Sequence, residues 1–501
     1  MSSRDQPLTP PVLGPRETSL WGRVDAARGD RPVAKAQPRR FRWVLDATIP
    51  LALTTAAGVA VLLPSSLPTD ARLALFVYAL AVILWSTTPL NAAYVALATV
   101  TLLVLAGGSP QDRLFDALAS DVVWLMVGAF VLGAAVQQTG LAERLTQVVG
   151  VRARTVRGAF WLVTAVLIPL TFLIPSTSGR AAVTIPVFRS IAGAADDKRV
   201  TRALALLMPT VILVATISAL VGAGSHLIAN DLLGQAAGRR ISFAAWALYG
   251  LPFGIAASAA SCWVVCRLFL DRECLGRELP IRREGRGPLT PAEWRTVAVV
   301  VGMVALWLSE GWHGLEIATV TVVGALVLTM PGLGVLSWKD GLKAVSWNLV
   351  IFVGAALVLG RALIDTGAAQ WIIDRVLVAS GLRGAESPLL IVVALAFVTL
   401  TSHIYMTSHT ARAAALVPPL LYLASSLGVN PAALVFLGTV GMNYCLTFPV
   451  SSKALLMFQE LEEETYQPPD LLKLSAVLLL VHLALMVLFY YAYWRWVGLA
   501  L

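Results

Sequence analysis

Apolar runs of about 20 residues, long enough to cross the hydrocarbon of a bilayer as helices, recur from about residue 47 to about residue 498 with only short polar breaks. Inside lipid every backbone N–H and C=O must find its partner within the protein, so only helices and closed β-barrels can span it. The runs are rich in Ala, Leu and Val and lack the alternating segments of about ten residues that a barrel needs. The fold class that follows is an all-α polytopic membrane protein. Composition agrees: 57% of the 501 residues are apolar and 13% charged, against roughly 25% charged in soluble domains, and the mean hydropathy is +0.76. A soluble enzyme carrying one anchor is excluded.

The net charge of +9 matters less than where the positive residues fall, because short cytoplasmic loops retain Lys and Arg. Residues 1–43 carry nine Lys/Arg and several prolines without a long apolar run, which reads as a disordered cytoplasmic tail facing anionic lipid. With that tail inside, eleven crossings and two re-entrant hairpins place most of the basic residues in the cytoplasm of a cell whose inner (plasma) membrane holds the protein. An extra first span occupies 44–70. A first repeat, 71–269, contains a cytoplasmic-facing hairpin at 158–193, a cytoplasmic linker spans 270–294, and a second repeat, 295–501, contains an outward-facing hairpin at 387–426. Crossings are expected near 200–222 and 430–457, among others. The acidic stretch Glu460, Glu462, Glu463 and Glu464 reads as a solvated loop, and Arg361 and Asp365, four residues apart on a helix, read as a local ion pair. Cys262, Cys266, Cys274 and Cys445 show neither zinc-ligand nor disulfide-framework spacing and read as small buried residues.

The two hairpins carry the most informative pattern. Pro175-Ser176-Thr177-Ser178-Gly179-Arg180-Ala181-Ala182, followed by Pro186, aligns with Thr407-Ser408-His409-Thr410-Ala411-Arg412-Ala413-Ala414 and Pro418 at a constant offset of 232, the difference between Ser408 and Ser176. Upstream, Val127-Gly128-Ala129 and Thr139-Gly140 resemble Val353-Gly354-Ala355 and Thr366-Gly367. Each half is one unit of five spans plus a hairpin, and five is odd, so the second unit enters from the opposite face and the repeats are inverted. Inverted repeats with broken helices at mid-membrane point to a secondary transporter.

A hairpin tip in hydrocarbon leaves amides without helical partners, each costing several kcal/mol, so something polar must sit there. The hydroxyls of Ser176, Thr177, Ser178, Ser408 and Thr410, with helix N-terminal amides near Gly179 and Ala411, suit a carboxylate, sulfate or similar oxyanion. Arginine at the bilayer centre costs roughly 2.5–3.5 kcal/mol even on the lenient scale, so Arg180 and Arg412 at equivalent positions argue for an anion or for buried acidic partners. The bland reading is a helix cap with a snorkelling arginine.

These kernels resemble the Ser-Asn-Thr signatures of the divalent anion:sodium symporter family, the carriers of citrate, dicarboxylates and sulfate, and the likeness covers about residues 46–498. It implies a homodimer in which a transport domain slides against a scaffold, an elevator, with Ser176, Thr177, Ser178, Arg180, Ser408, His409, Thr410 and Arg412 at the substrate. Thr410-Ala411-Arg412-Ala413 is similar to the sodium-independent exchanger branch. The sequence departs from the family pattern where Thr177 and His409 replace its Asn. The loops that help form sodium sites in the family read here Gly222-Ala223-Gly224-Ser225-His226 and Pro449-Val450-Ser451-Ser452-Lys453. Gly224, Ser225, His226, Ser451, Ser452 and Lys453 therefore mark the coupling-ion region, where an ammonium either stands in for a cation or repels it. The expected activity is sodium-independent: exchange of small divalent anions, or coupling to protons with His409 or His226 as carrier. No metal, cofactor or nucleic-acid partner is implied; the partners are a small anion, the lipid bilayer and a second copy of the chain.

The kernels do not encode which oxyanion fits, so an arsenite or inorganic-anion carrier of the wider ion-transporter superfamily stands beside this reading. The rival from another class is a membrane enzyme or a non-transporting receptor. No His-Glu-x-x-His, Gly-x-x-x-x-Gly-Lys-Ser/Thr or nucleophile elbow is present.

Overall fold

The computed structural model describes residues 42–62, 67–141, 144, 152–280, 287–380 and 387–501; the basic tail expected at 1–43 lies, but for its last two residues, outside them, as do Arg282, Arg283 and Arg286 of the linker. By contacts the chain divides at Pro50, and both hairpins and both repeats lie within Pro50–Leu501. Among the described residues there are helices and one isolated β-bridge, between Thr155 and Glu278.

Among the described residues, eight helices are long and apolar enough to cross a membrane and five more are apolar but shorter. In the first half run α1 (Thr69–Thr87), α2 (Ala92–Leu105), α3 (Asp121–Gln138), α4 (Val156–Leu167), α5 (Thr177–Ala195), α6 (Lys198–Val214), α7 (Gly224–Ala237) and α8 (Phe243–Phe269). After the linker come α9 (Pro291–Leu308), α10 (Ile317–Thr329), α11 (Trp347–Asp365), α12 (Pro388–Thr401), α13 (His409–Leu427), α14 (Pro431–Met442), α15 (Lys453–Gln459) and α16 (Pro468–Ala492). Both hairpins form as expected: α4 runs to the tip at 174–176 and returns as α5, and α12 runs to a tip at 405–408 and returns as α13.

Two expected crossings are broken. The stretch expected at 200–222 ends as α6 at Val214, passes through short 3-10 turns and continues as α7 to Ala237. Likewise 430–457 is α14, a break over 443–452, then α15. His226, Asn230, Asp231 and Gln235 lower the hydropathy of α7, so no apolar run marks its helix in the sequence.

The halves repeat one another in local detail. Thr139 and Thr366 each bond back to the carbonyl four residues earlier, Ala135 and Ala362, and the following Gly140 and Gly367 both stop their helix at φ +73°. A left-handed stop of this kind favours glycine, which explains why Thr-Gly recurs at both positions.

The core is closed by glycine where α8 meets the break in the α6–α7 crossing. Gly250 sits so close that a Cβ there would lie 2.1 Å from the Ile217 carbonyl oxygen, and Trp246 donates to that same carbonyl at 3.0 Å. At the end of the molecule where α5 meets α6, the acidic stretch is paired rather than merely solvated: Arg189 bonds Glu463 at 2.8 Å, and Lys198 and Arg202 hold Glu464 at 2.6 and 2.9 Å. Asp365 takes Arg113 at 2.6 Å as its near partner, with Arg361 at 3.9 Å, so the ion pair reaches across the fold as well as along the helix.

Gly250→Ala should force the helix off a backbone carbonyl and lower stability by about 1–3 kcal/mol, measured as the unfolding midpoint of the detergent-solubilised protein. Lys198 beside Glu464 holds its carboxyl below the usual glutamate range. That contribution is full above an ordinary pKa of about 4.3 and is lost as pH falls through the lower folded value. Hydrogen exchange at 460–467 should rise on acidification in the wild type and show no such step in Glu464→Gln.

Candidate functional site

A cavity of about 730 Å³ lies where both hairpin tips and both broken crossings meet. Ser176, Thr177, Ser178 and Gly179 line it from the first tip and Thr407, Ser408, His409 and Thr410 from the second. Thr216, Ala223 and Gly224 enter from one break, and Val450, Ser451, Ser452 and Lys453 from the other.

The tips are built alike. Ser176 Oγ caps α5 by accepting from the Gly179 amide at 3.2 Å and lies 3.0 Å from Ser178 Oγ; Ser408 Oγ caps α13 by accepting from the Ala411 amide at 3.3 Å and lies 3.0 Å from Thr410 Oγ1. Each cap satisfies one orphan amide and leaves others of the first turn facing the cavity. α7 begins at Gly224 with no side-chain cap at all. Three helices of 19, 19 and 14 residues thus start at one cavity, each bringing roughly half a positive charge at its N-terminus. Lys453 is exposed, and among the described residues it is the only formally charged side chain in the wall; no Asp or Glu stands there. The field at this site favours an anion.

Six of the eight residues expected at the substrate line the cavity; Arg180 and Arg412 do not. Both are fully buried behind the tips. Arg180 donates to Thr171 Oγ1 at 2.7 Å and to the Gly222 carbonyl at 3.0 Å, and Arg412 donates to the Tyr444 carbonyl at 2.8 Å. The reason is the same in both halves. A broken crossing exposes carbonyls that no helical amide reaches, and a guanidinium one turn into the returning helix is a donor long enough to reach them. Arg412 keeps Nε and Nη2 without a hydrogen-bond partner, against Nε alone for Arg180, so its guanidinium is the less fully hydrogen-bonded of the two.

In the expected coupling-ion region, Gly224, Ser451, Ser452 and Lys453 line the cavity, whereas Ser225 and His226 are buried behind it. They meet a residue that the sequence reading missed, Asn443 of the second break. Ser225 Oγ donates to Asn443 Oδ1 at 3.0 Å, leaving the Asn443 amide to donate to His226 Nε2, while His226 Nδ1–H donates to the Ala219 carbonyl at 2.9 Å. A neutral imidazole satisfies this arrangement, and a second proton would set two donors face to face. His409 does stand in the wall, with Nε2 3.1 Å from Cys445 Sγ. Asn91, Gln137, Ser346 and Asn348 also line the cavity and were not anticipated. Asn91 carried one readable signal, as the N-cap of α2.

The profile of one known family, the sodium:sulfate symporter transmembrane region, matches residues 45–500. The chain belongs to this family. A membrane protein of Cupriavidus necator is 30% identical over 390 residues, 75% of this chain and 74% of that one. The citrate/succinate antiporter of Escherichia coli (strain K12) and the L-tartrate/succinate antiporter of the same strain are each 25% identical over 350 residues, 66% of this chain and 70% of theirs. In fold, the chain is similar to the Alcanivorax borkumensis YdaH transporter, with a TM-score of 0.55 and 13% identity over 85% of this chain and 99% of that one. As a member of the sodium:sulfate symporter family the protein is a multi-pass membrane transporter for divalent anions and not an enzyme, and the resemblance carried by the two kernels, including its leaning to the exchanger branch, holds.

Arg412→Gln removes the donor to the Tyr444 carbonyl, and a hydrogen bond to a charged group is worth about 1.5–3 kcal/mol. The unfolding midpoint should fall accordingly. An unchanged midpoint with lost anion binding would instead place Arg412 at the ligand.

Proposed function

We propose that the protein is a sodium-independent exchanger of small dicarboxylates, with tricarboxylates as counter-substrates. The observation that carries this is the convergence of three helix N-termini and Lys453 on a cavity with no acid among the described residues of its wall, which suits two carboxylates better than one. Ser176, Thr177, Ser178, Ser408, His409 and Thr410 supply the hydroxyl and imidazole contacts, and Arg180 and Arg412 hold the tips and add positive field from behind. The cavity is wider than a sulfate requires and falls within the usual range of small-molecule sites.

Exchange is favoured over cation coupling by three observations. The Gly222 carbonyl, in the loop that the family resemblance assigns to a sodium site, is already taken by the Arg180 guanidinium. His226 is satisfied as a neutral ring. Relatives at 25% identity are named citrate/succinate and L-tartrate/succinate antiporters. The motion we assign is an elevator, in which two inverted repeats carry the paired tips across an inner (plasma) membrane. The working unit is a homodimer, and the N-terminus lies in the cytoplasm.

Proteoliposomes preloaded with succinate test the reading. Labelled succinate should enter only against an internal di- or tricarboxylate, at the same rate in sodium and choline buffers. Absence of flux with succinate, tartrate and citrate overturns the substrate class, and a requirement for external sodium overturns the coupling. Ser176→Ala and Ser408→Ala should each raise KM by about tenfold, about 1.4 kcal/mol of binding.

A further inference from the structure

The broken crossings of the two halves resume at equivalent points, Gly224 and Lys453, and both residues line the cavity. There the likeness ends. A Cβ at Gly224 would lie 3.2 Å from Thr410 Cγ2 and 3.4 Å from both Leu349 methyls, so the start of α7 is packed against the second tip with no space for a long side chain. The equivalent place in the second half is open, and Lys453 is exposed there. Its ammonium makes no hydrogen bond and no ion pair with any described residue. A cavity walled by similarly built tips therefore has two unlike ends, one offering backbone amides and neutral polar side chains, the other a full charge.

We infer that Lys453 is the residue by which this cavity counts charge: it receives the second carboxylate of the substrate and so separates dicarboxylates from monocarboxylates. This rests on the proposed dicarboxylate function. One carboxylate is held by the capped tips and the uncapped start of α7, contacts that a monocarboxylate makes equally well. Only a substrate with a second carboxylate gains from the ammonium, and the ammonium has no competing acid in the wall. Discrimination by a single charged group needs such a site, because the gain is the difference between a paired and an unpaired charge in a partly dry cavity. Lys453 is thereby a specificity residue facing the substrate, rather than a fixed stand-in for a coupling cation. A stand-in would be buried and held by hydrogen bonds, as Arg180 is at its two terminal nitrogens.

Succinate and butyrate differ by one carboxylate at equal chain length and make the probe pair, read as inhibition of labelled-succinate exchange by the full-length protein in proteoliposomes. In the wild type butyrate should be weaker than succinate by about 100-fold or more, and Lys453→Gln should narrow the gap to about tenfold by losing succinate affinity while butyrate stays put, a tenfold change being about 1.4 kcal/mol. Lys453→Arg should restore the gap. A Lys453→Gln protein that keeps the wild-type ratio overturns the inference, as does one whose exchange becomes sodium-stimulated. If a variant exchanges too slowly to read, the shift of its unfolding midpoint by succinate and by butyrate in detergent gives the same ratio. Failure of the wild type to exchange any dicarboxylate is a separate outcome, which removes the functional reading itself.

Discussion

Hydrocarbon does not forgive an unpaired carbonyl, and the architecture around the cavity follows from that constraint. Two crossings are broken where they pass the tips, and each break is closed by a guanidinium from the returning arm of a hairpin: Arg180 to Gly222, Arg412 to Tyr444. Trp246 closes a third carbonyl, that of Ile217. The hairpin tips and the breaks together bring helix N-termini to the cavity, so interrupting the helices and presenting polar groups to an anion have one origin. An unbroken helix at either place would be easier to bury and would present nothing polar to the cavity.

The halves are alike at the tips and unlike behind them. Thr171 and His403 stand at equivalent positions, 232 residues apart like the kernels. Thr171 accepts from Arg180, whereas His403 turns away from Arg412, with Nδ1 2.6 Å from the Leu400 carbonyl and Nε2 2.5 Å from Thr447 Oγ1. Thr447 continues to Ser475 Oγ at 2.7 Å, and Ser475 also meets the Tyr444 hydroxyl, at 3.1 Å through its Oγ. The second tip is thus braced against α16 by a chain of side-chain hydrogen bonds that the first does without. Asn443 then ties the second break to Ser225 and His226 of the first half. Such buried networks hold their members together because any one left alone suffers its full desolvation penalty.

Much of this was legible in the sequence, for physical reasons. Apolar length specifies crossings, and a polar kernel flanked by proline inside an apolar stretch specifies a hairpin, so both hairpins and the six cavity-lining kernel residues were found. What the arginines do was not legible. Sequence says that a buried guanidinium needs a partner, but a backbone carbonyl at a helix break leaves no trace in residue identity, and the only partners a sequence makes visible are acids. α7 was hidden by its own polar residues, and Asn443 by being an isolated amide with no repeat counterpart. Asn348 and Ser346 stand in an ordinary loop-to-helix junction, where nothing but three-dimensional proximity marks them.

The charge balance of the cavity gives exchange a physical basis on the proposed reading. Arg180, Arg412 and Lys453 bring three formal positive charges to the neighbourhood of one cavity, and no acid among the described residues of its wall offsets them. In a medium of low dielectric that field favours occupancy by an anion. A bound dicarboxylate offsets two of the three charges, whereas an empty site presents all of them to whatever the moving part must slide past. On the proposed elevator reading, reorientation is fast when loaded and slow when empty, which is the kinetic definition of an antiporter. A sodium-coupled carrier meets the opposite condition: its site gains positive charge only when the cation binds, and it resets once cation and anion have both left. On the proposed reading, guanidiniums fixed behind the tips replace a cation that comes and goes with one that never leaves, and what is given up is the empty return.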